Sequence, residues 1–180
     1  MRKIFIVSGP AGVGKSTIAR RLAEQFSHSA YIEGDLVNHM VVGGHIPPWE
    51  SQELESLVWE NIIDLGINFV QAGKDVVIDY ISFPEDVRRF SEKVGKEVGD
   101  VEIHYVVLWA ERDELLQRDS LRAKPDQMGA RCLELVDEFL SKGVEPRFFY
   151  DTTRLSKLDD IVTKIMENPS YKFSWKVGAT

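Results

Sequence analysis

Lys3-Ile4-Phe5-Ile6-Val7-Ser8-Gly9-Pro10-Ala11-Gly12-Val13-Gly14-Lys15-Ser16-Thr17 joins an apolar run to a glycine-rich turn and then to a helical pattern. The run Lys3 to Val7 is rich in β-formers and ends at Ser8-Gly9, which reads as a buried strand. From Lys15 onward Ile18, Ala19, Leu22, Ala23 and Phe26 fall on one face, which predicts a helix over 15–27. Between them, Gly9 to Ser16 satisfies G-x-x-x-x-G-K-[ST] at every fixed position. Glycines let successive backbone N–H groups turn inward around a phosphate, and the helix start adds a partial positive charge. Gly9, Ala11, Gly12, Val13, Gly14, Lys15, Ser16 and Thr17 are therefore the expected phosphate-binding residues. Lys15 is suited to reach the β- and γ-phosphates, and the Ser16 hydroxyl to bind Mg²⁺.

Outward from this stretch, short apolar runs alternate with longer helical segments. Strands are expected over 30–32, 76–78, 101–109 and 148–150. Helices are expected over 35–42, 50–72, 84–97, 111–142 with an interruption near 124–126, and 156–167. In the segment 50–72, Leu54, Leu57, Val58, Ile62, Leu65 and Phe69 recur at helical spacing. Strands separated by helices imply parallel βαβ units, hence an α/β protein with a three-layer α/β/α arrangement and a five-stranded parallel sheet. The tail from Asn168 carries no clear signal.

The 180 residues fit one domain, 1–180, and 43% hydrophobic with 28% charged residues is a globular mixture, not a disordered one. The net charge of −7 argues against nucleic acid or an anionic membrane as partner. Cys132 is the single cysteine, so no intrachain disulfide forms and a reducing, cytoplasmic setting is expected. No apolar run approaches the ~20 residues that span a bilayer.

Charge is unevenly placed. From Leu22 to Gly73 there is no Lys or Arg, yet eight acids: Glu24, Glu33, Asp35, Glu50, Glu53, Glu55, Glu60 and Asp64. Arg88 and Arg89 are the nearest cations that would compensate. Arg112, Arg118, Arg122, Lys124 and Arg131 instead cluster further on, with Arg118 and Arg122 sharing a helix face. They either bind phosphate or pair with Glu111, Asp113, Glu114, Asp119 and Glu134. Gly43-Gly44-His45-Ile46-Pro47-Pro48-Trp49 is read either as a lid or as a tight connector with Trp49 in the core. His39 and His45 are acid–base candidates or structural residues.

With these motifs in view, residues 1 to about 167 resemble the small P-loop kinases. This group contains gluconate kinase, shikimate kinase, adenylylsulfate kinase and chloramphenicol phosphotransferase, and is more distantly similar to adenylate kinase. The nearest resemblance is to bacterial gluconate-kinase-like proteins. It implies the P-loop nucleoside triphosphate hydrolase fold, with an acceptor-side helical region over 35–72 and a helical LID over 111–142. It also implies roles. Asp35, in Glu33-Gly34-Asp35, matches an Asp that faces the acceptor hydroxyl; its other reading is an N-cap for a helix starting at Leu36. Asp79, closing Val76-Val77-Ile78, looks like a Mg²⁺-holding carboxylate and alternatively faces the acceptor. Arg118 corresponds to an adenine stacker and Arg122 to a phosphate contact. Arg131 is a candidate for closing over the γ-phosphate, and Asp151-Thr152-Thr153-Arg154-Leu155 lies where relatives set backbone against adenine.

The resulting expectation is an ATP- and Mg²⁺-dependent kinase, with Lys15, Asp35 and Arg122 catalytic, Arg118 and Arg122 on the nucleotide, and Ser16 and Asp79 on the metal. The acceptor is a small hydroxyl compound, either a sugar acid such as gluconate or a neutral or cationic compound such as an antibiotic. The acidic segment disfavours a nucleoside monophosphate. The protein is expected to act as a monomer or weak homodimer. The competing readings are a P-loop ATPase or nucleotide switch acting through a protein partner, and a kinase of a cell-wall sugar nucleotide. No N-K-x-D guanine signature is present.

Overall fold

A computed structural model describes residues 1–124, 127–154 and 157–174. Five strands form one parallel sheet: β1 (Arg2–Ser8), β2 (Ser29–Glu33), β3 (Asp75–Asp79), β4 (Val101–Trp109) and β5 (Phe149–Asp151), in the order β2-β3-β1-β4-β5. β1 is central, and Ile4, Phe5, Ile6 and Val7 are all fully buried. A parallel strand covered on both faces has no use for polar alternation, which is why this run is continuously apolar.

Among the described residues seven α-helices accompany the sheet: α1 (Lys15–Ala23), α2 (Gly34–Asn38), α3 (Gln52–Gln71), α4 (Pro84–Val98), α5 (Arg112–Ser120), α6 (Ala130–Ser141) and α7 (Leu158–Glu167). α1 packs on α7 while α3 packs on α4, giving the three layers read from the sequence. Ser51 caps α3, its hydroxyl accepting from the Leu54 N–H at 3.2 Å.

Several boundaries differ from the sequence reading. α1 ends at Ala23, and Phe26 packs on the core from the turn beyond it. α2 begins at Gly34 and spans five residues, so Asp35 lies inside its first turn and makes no cap. The buried face of α3 is Val58, Trp59, Ile62, Ile63, Gly66 and Val70, while Leu57 is exposed. The helix is rotated from the face that Leu54, Leu57, Leu65 and Phe69 suggested, because Gly66 admits the Phe90 ring of α4 close to its backbone. The expected interruption in 111–142 is wider, from Leu121 to Gly129, with Pro125 and Asp126 outside the described residues.

The tail has structure that its sequence did not announce. A 3₁₀ turn over Pro169–Tyr171 leads into an antiparallel bridge between Lys172 and His104, and the Phe173 N–H donates to the Ile103 carbonyl at 2.8 Å. β5 pairs only with Val107–Trp109, so the tail covers part of the β4 edge that β5 leaves open.

Candidate active site

The site lies where β1 and β3 end. Gly9 leaves β1 with φ +137°, and a Cβ there would stand 2.3 Å from the Leu108 carbonyl oxygen, so no other residue fits this step. The loop closes on α1, whose start holds Lys15, Ser16 and Thr17, the last two exposed. The Lys15 ammonium donates to the Gly9 and Pro10 carbonyls, each at 3.0 Å. Burial holds the Lys15 pKa below the ordinary lysine value, while the charges of Asp79 and Asp35 act in the opposite sense and Arg122 adds to the lowering. Lys15 thus feels Asp79, Asp35 and Arg122 together, three residues brought from β3, α2 and the region after α5.

Asp79 is buried at the end of β3, and one of its oxygens accepts the Tyr31 hydroxyl at 2.8 Å. Tyr31 lies on β2, and Arg20 stacks on its ring while pairing with Glu33 at 2.6 Å. Asp35 is exposed, with no ion pair among the described residues. A buried, fixed carboxylate and an open, unpaired one therefore flank the same ammonium. The segment after Asp79 is fixed by a buried network that the sequence did not signal. Ser8 donates to the Ser82 carbonyl at 2.9 Å and accepts the Ser82 N–H at 2.8 Å, and the Tyr105 hydroxyl donates to the same carbonyl at 2.7 Å.

On the other side, α5 carries the arginines. Arg118 pairs with Glu114 at 2.7 Å and donates to the Thr152 carbonyl at 2.7 Å, so it joins α5 to the turn after β5. Thr152 is itself buried and bonded to the Trp109 carbonyl. The segment proposed to meet adenine and Arg118 are thus adjacent, with Leu155 outside the described residues. Arg122 pairs with Asp119 at 3.3 Å. Asp119, which reads in the sequence as one more surface acid, is buried and also accepts the Met128 N–H at 3.0 Å and the Gly129 N–H at 2.8 Å. It ties the end of α5 to the start of α6 across the segment between them. Cys132 is buried on α6 beside Asp119, and burial pushes its thiol up to about 11.

Arg131 pairs with Glu134 and Glu138 and lies over the Trp49 ring, 5.6 Å from its centroid. Arg112 pairs with Asp137. Trp49 is 54% exposed, which overturns the core-packed reading and leaves it bridging the 43–49 loop to α6 through Arg131. His39 and His45 lie ring to ring at 5.4 Å, and His45 shares a 3.2 Å hydrogen bond with the buried Asn38. Arg89 and Lys93 both pair with Glu60, and Arg88 lies 3.8 Å from Glu85.

A strand, a phosphate loop and a helix, with an acidic residue closing the neighbouring strand, make this a P-loop nucleotide-binding protein with the fold of the P-loop kinases. A family profile described as an AAA domain matches residues 5–135, most of the chain, and the chain belongs to that family. A cytidylate kinase of Halalkalibacterium halodurans is 26% identical over 160 residues, which is 85% of this chain and 67% of that protein. Among solved structures, a Janibacter sugar kinase superposes with TM-score 0.65 at 15% identity, over 92% of this chain and 93% of its own. A gluconokinase from Sinorhizobium meliloti gives 0.56 at 19% identity, over 92% and 91%. A tunicamycin resistance protein from Deinococcus radiodurans gives 0.62 at 19%, over 92% and 94%.

Among the described residues no helix is long and apolar enough to cross a membrane, and no group of three metal-ligating side chains occurs. Mg²⁺ takes one or two protein oxygens and completes its shell with phosphate oxygens and water, and the Ser16 hydroxyl and the Asp79 carboxylate are oxygen donors of that chemistry.

Proposed function

We propose that the protein transfers the γ-phosphate of ATP to a hydroxyl of a small acceptor. The observation that carries this reading is the convergence of Asp79, Asp35 and Arg122 on the Lys15 ammonium at the phosphate loop. Transfer of a phosphoryl group asks mainly for positioning and for cations placed where charge spreads over its oxygens. Lys15 and Arg122, whose charges feel each other, supply them. Ser16 and Asp79 would hold Mg²⁺, which neutralises phosphate charge when bound.

The two acids divide the remaining work. Asp79 is buried and held by Tyr31, which suits a fixed ligand. Asp35 is exposed and unpaired, which suits a group that meets a diffusible acceptor. The acceptor oxygen forms a bond to the γ-phosphorus while the bond to the bridging oxygen of ADP breaks. The proton of the acceptor hydroxyl passes to Asp35. Arg118 and the 151–154 turn take the nucleotide base, residues 35–72 form the acceptor side and 111–142 the LID.

The test is single-turnover ADP formation with ATP·Mg²⁺ and a panel of alcohols, comparing wild type with Lys15→Ala. Lys15→Ala is expected to lose at least about 10²-fold in transfer while keeping its fold, the range seen when one preorganised charge is removed. Wild-type turnover in a folded Lys15→Ala protein refutes the assignment.

A further inference from the structure

A pocket of about 710 Å³ lies between the N-terminal half of α3, the start of α4 and the end of α6. Its walls include Glu55, Ser56, Trp59, Phe83, Asp86 and Lys142. Trp59 is only 2% exposed, yet its indole N–H has no hydrogen-bond partner among the described residues. A buried indole N–H ordinarily finds an acceptor, so this one marks a place for a ligand oxygen. The Trp59 ring meets Tyr80 edge-on at 5.7 Å. Tyr80 in turn lies against Gly34, where any Cβ would stand 2.3 Å from its ring. The Tyr80 phenol feels the charges of Asp35, Glu55 and Asp86 together, so its surroundings link Asp35 to the two acids of this pocket.

The pocket's charge is specific. Of its cations, Arg89 is held by Glu60, and Lys142 lies over the Phe83 ring, 3.9 Å from the centroid. Of its acids, Glu85 faces Arg88. Glu55 and Asp86 form no ion pair among the described residues, so two carboxylates face one ammonium. Asp86 spends one oxygen on the Phe83 N–H at 2.8 Å and keeps the other. Burial first and the Glu55 charge after it, against the Phe83 N–H, push the Asp86 carboxyl up to about 6, so a second cation here relieves two acids at once. The aromatic rings of Trp59 and Phe83 in the wall add the surface on which an ammonium or its CH₂ neighbours rest.

We propose that this pocket binds the protonated amine of a hydroxyl-bearing amine, with Glu55 and Asp86 on the ammonium and the Trp59 indole N–H on a ligand oxygen. Resting on the phosphotransfer reading, it is the far end of the acceptor cleft, and the substrate class is an aminated polyol or amino sugar. The same charges reject a sugar acid, because Arg88 and Arg89 are engaged with Glu85 and Glu60.

The test uses three open-chain probes of one length: 1-amino-1-deoxysorbitol, sorbitol and gluconate. They are titrated without nucleotide into the ¹⁵N-labelled protein at neutral pH and constant ionic strength. The Trp59 indole resonance, assigned with Trp59→Phe, is followed. The amine is expected to move this signal with half-saturation about tenfold below that of sorbitol, the worth of one charge-assisted hydrogen bond over a neutral one. Gluconate is expected to leave it unmoved. Glu55→Gln, whose side chain keeps the size of the original, should bring the amine to the sorbitol value with the rest of the spectrum unchanged. Equal half-saturation for amine and sorbitol, a response to gluconate, or an unmoved indole signal overturns the proposal. Because no ATP is present, these outcomes are independent of the Lys15→Ala result, so the pocket and the phosphotransfer reading fail separately.

Discussion

Replacing Asp119 with Ala should loosen the turn between α5 and α6 from its base. The carboxylate accepts the Met128 N–H at 3.0 Å and the Gly129 N–H at 2.8 Å, and it holds Arg122 at 3.3 Å. Each hydrogen bond to a charged group contributes roughly 1.5–3 kcal/mol, and a buried donor left without a partner costs a similar amount. Gly129 is exposed, so water recovers part of its loss. About 3 kcal/mol is the resulting cost, which is roughly a hundredfold in the local opening equilibrium. Amide hydrogen exchange checks this directly. The Met128 and Gly129 amides should exchange about a hundredfold faster in Asp119→Ala, while amides of β1 and β4 keep their rates. Asp119→Asn retains an oxygen for one N–H and should fall between. ATP should also bind more weakly, since Arg122 loses the group that aims it. pH gives a second handle. Burial acts to raise the Asp119 pKa, but the Gly129 and Met128 N–H groups and Arg122 outweigh it and hold it below the ordinary carboxylate value. A lowered carboxylate stabilises the fold above its unfolded pKa and loses that contribution as pH falls through the folded one. The turn should therefore loosen only below about pH 4. Unchanged exchange at Met128 and Gly129 in Asp119→Ala would refute the reasoning.

Three further outcomes are expected. Asp35→Asn should lower transfer by roughly 10²–10⁴-fold with ATP affinity unchanged, measured by single-turnover kinetics and nucleotide titration; a normal rate removes Asp35 from proton transfer. Asp86, with its carboxyl raised to about 6, binds more protons folded than unfolded between about pH 4 and 6, so its contribution to stability falls by up to about 3 kcal/mol as pH rises through that window. Denaturant midpoints of Asp86→Asn should lack this component, and a pH profile identical to wild type contradicts the burial argument. Trp49→Ala should leave the fold intact and speed exchange near the start of α6, because Arg131 loses the ring it lies on; equal exchange means the contact carries no coupling.

The phosphate loop was legible because its chemistry is backbone chemistry: glycine spacing and one lysine state the geometry in a single line of sequence. The sheet was legible for a related reason, since strands buried on both faces leave unbroken apolar runs. Asp119 was not. Its partners are backbone N–H groups ten residues on, which have no side-chain signature, and its neighbours Arg118 and Arg122 invite an ordinary helix ion pair. Trp59 was missed because the rotation of α3 depends on Gly66 meeting Phe90, a tertiary contact that periodicity cannot report. Asp35 was read as a group facing the acceptor or as a helix cap because Asp suits both. The cap reading falls because the helix already starts at Gly34 and leaves Asp35 exposed in its first turn. The tail was silent because its work is done by main-chain bonds.

Those main-chain bonds have a consequence for how the molecule behaves in a crowded solution. A bare strand edge is a template on which another chain can add, and parallel sheets expose such edges while they fold slowly. Along β4 the stretch that β5 leaves unpaired is Val101 to Val106, three of whose six residues are Val or Ile. By laying Lys172 beside His104 and Phe173 beside Ile103, with Tyr171 buried and Arg147 holding the Ser170 and Lys172 carbonyls at 3.0 and 3.1 Å, the chain occupies that template itself. Shortening the protein before Tyr171 would then leave the phosphate loop intact and still yield a poorly soluble product, with the fault lying in what neighbouring copies can do to one another.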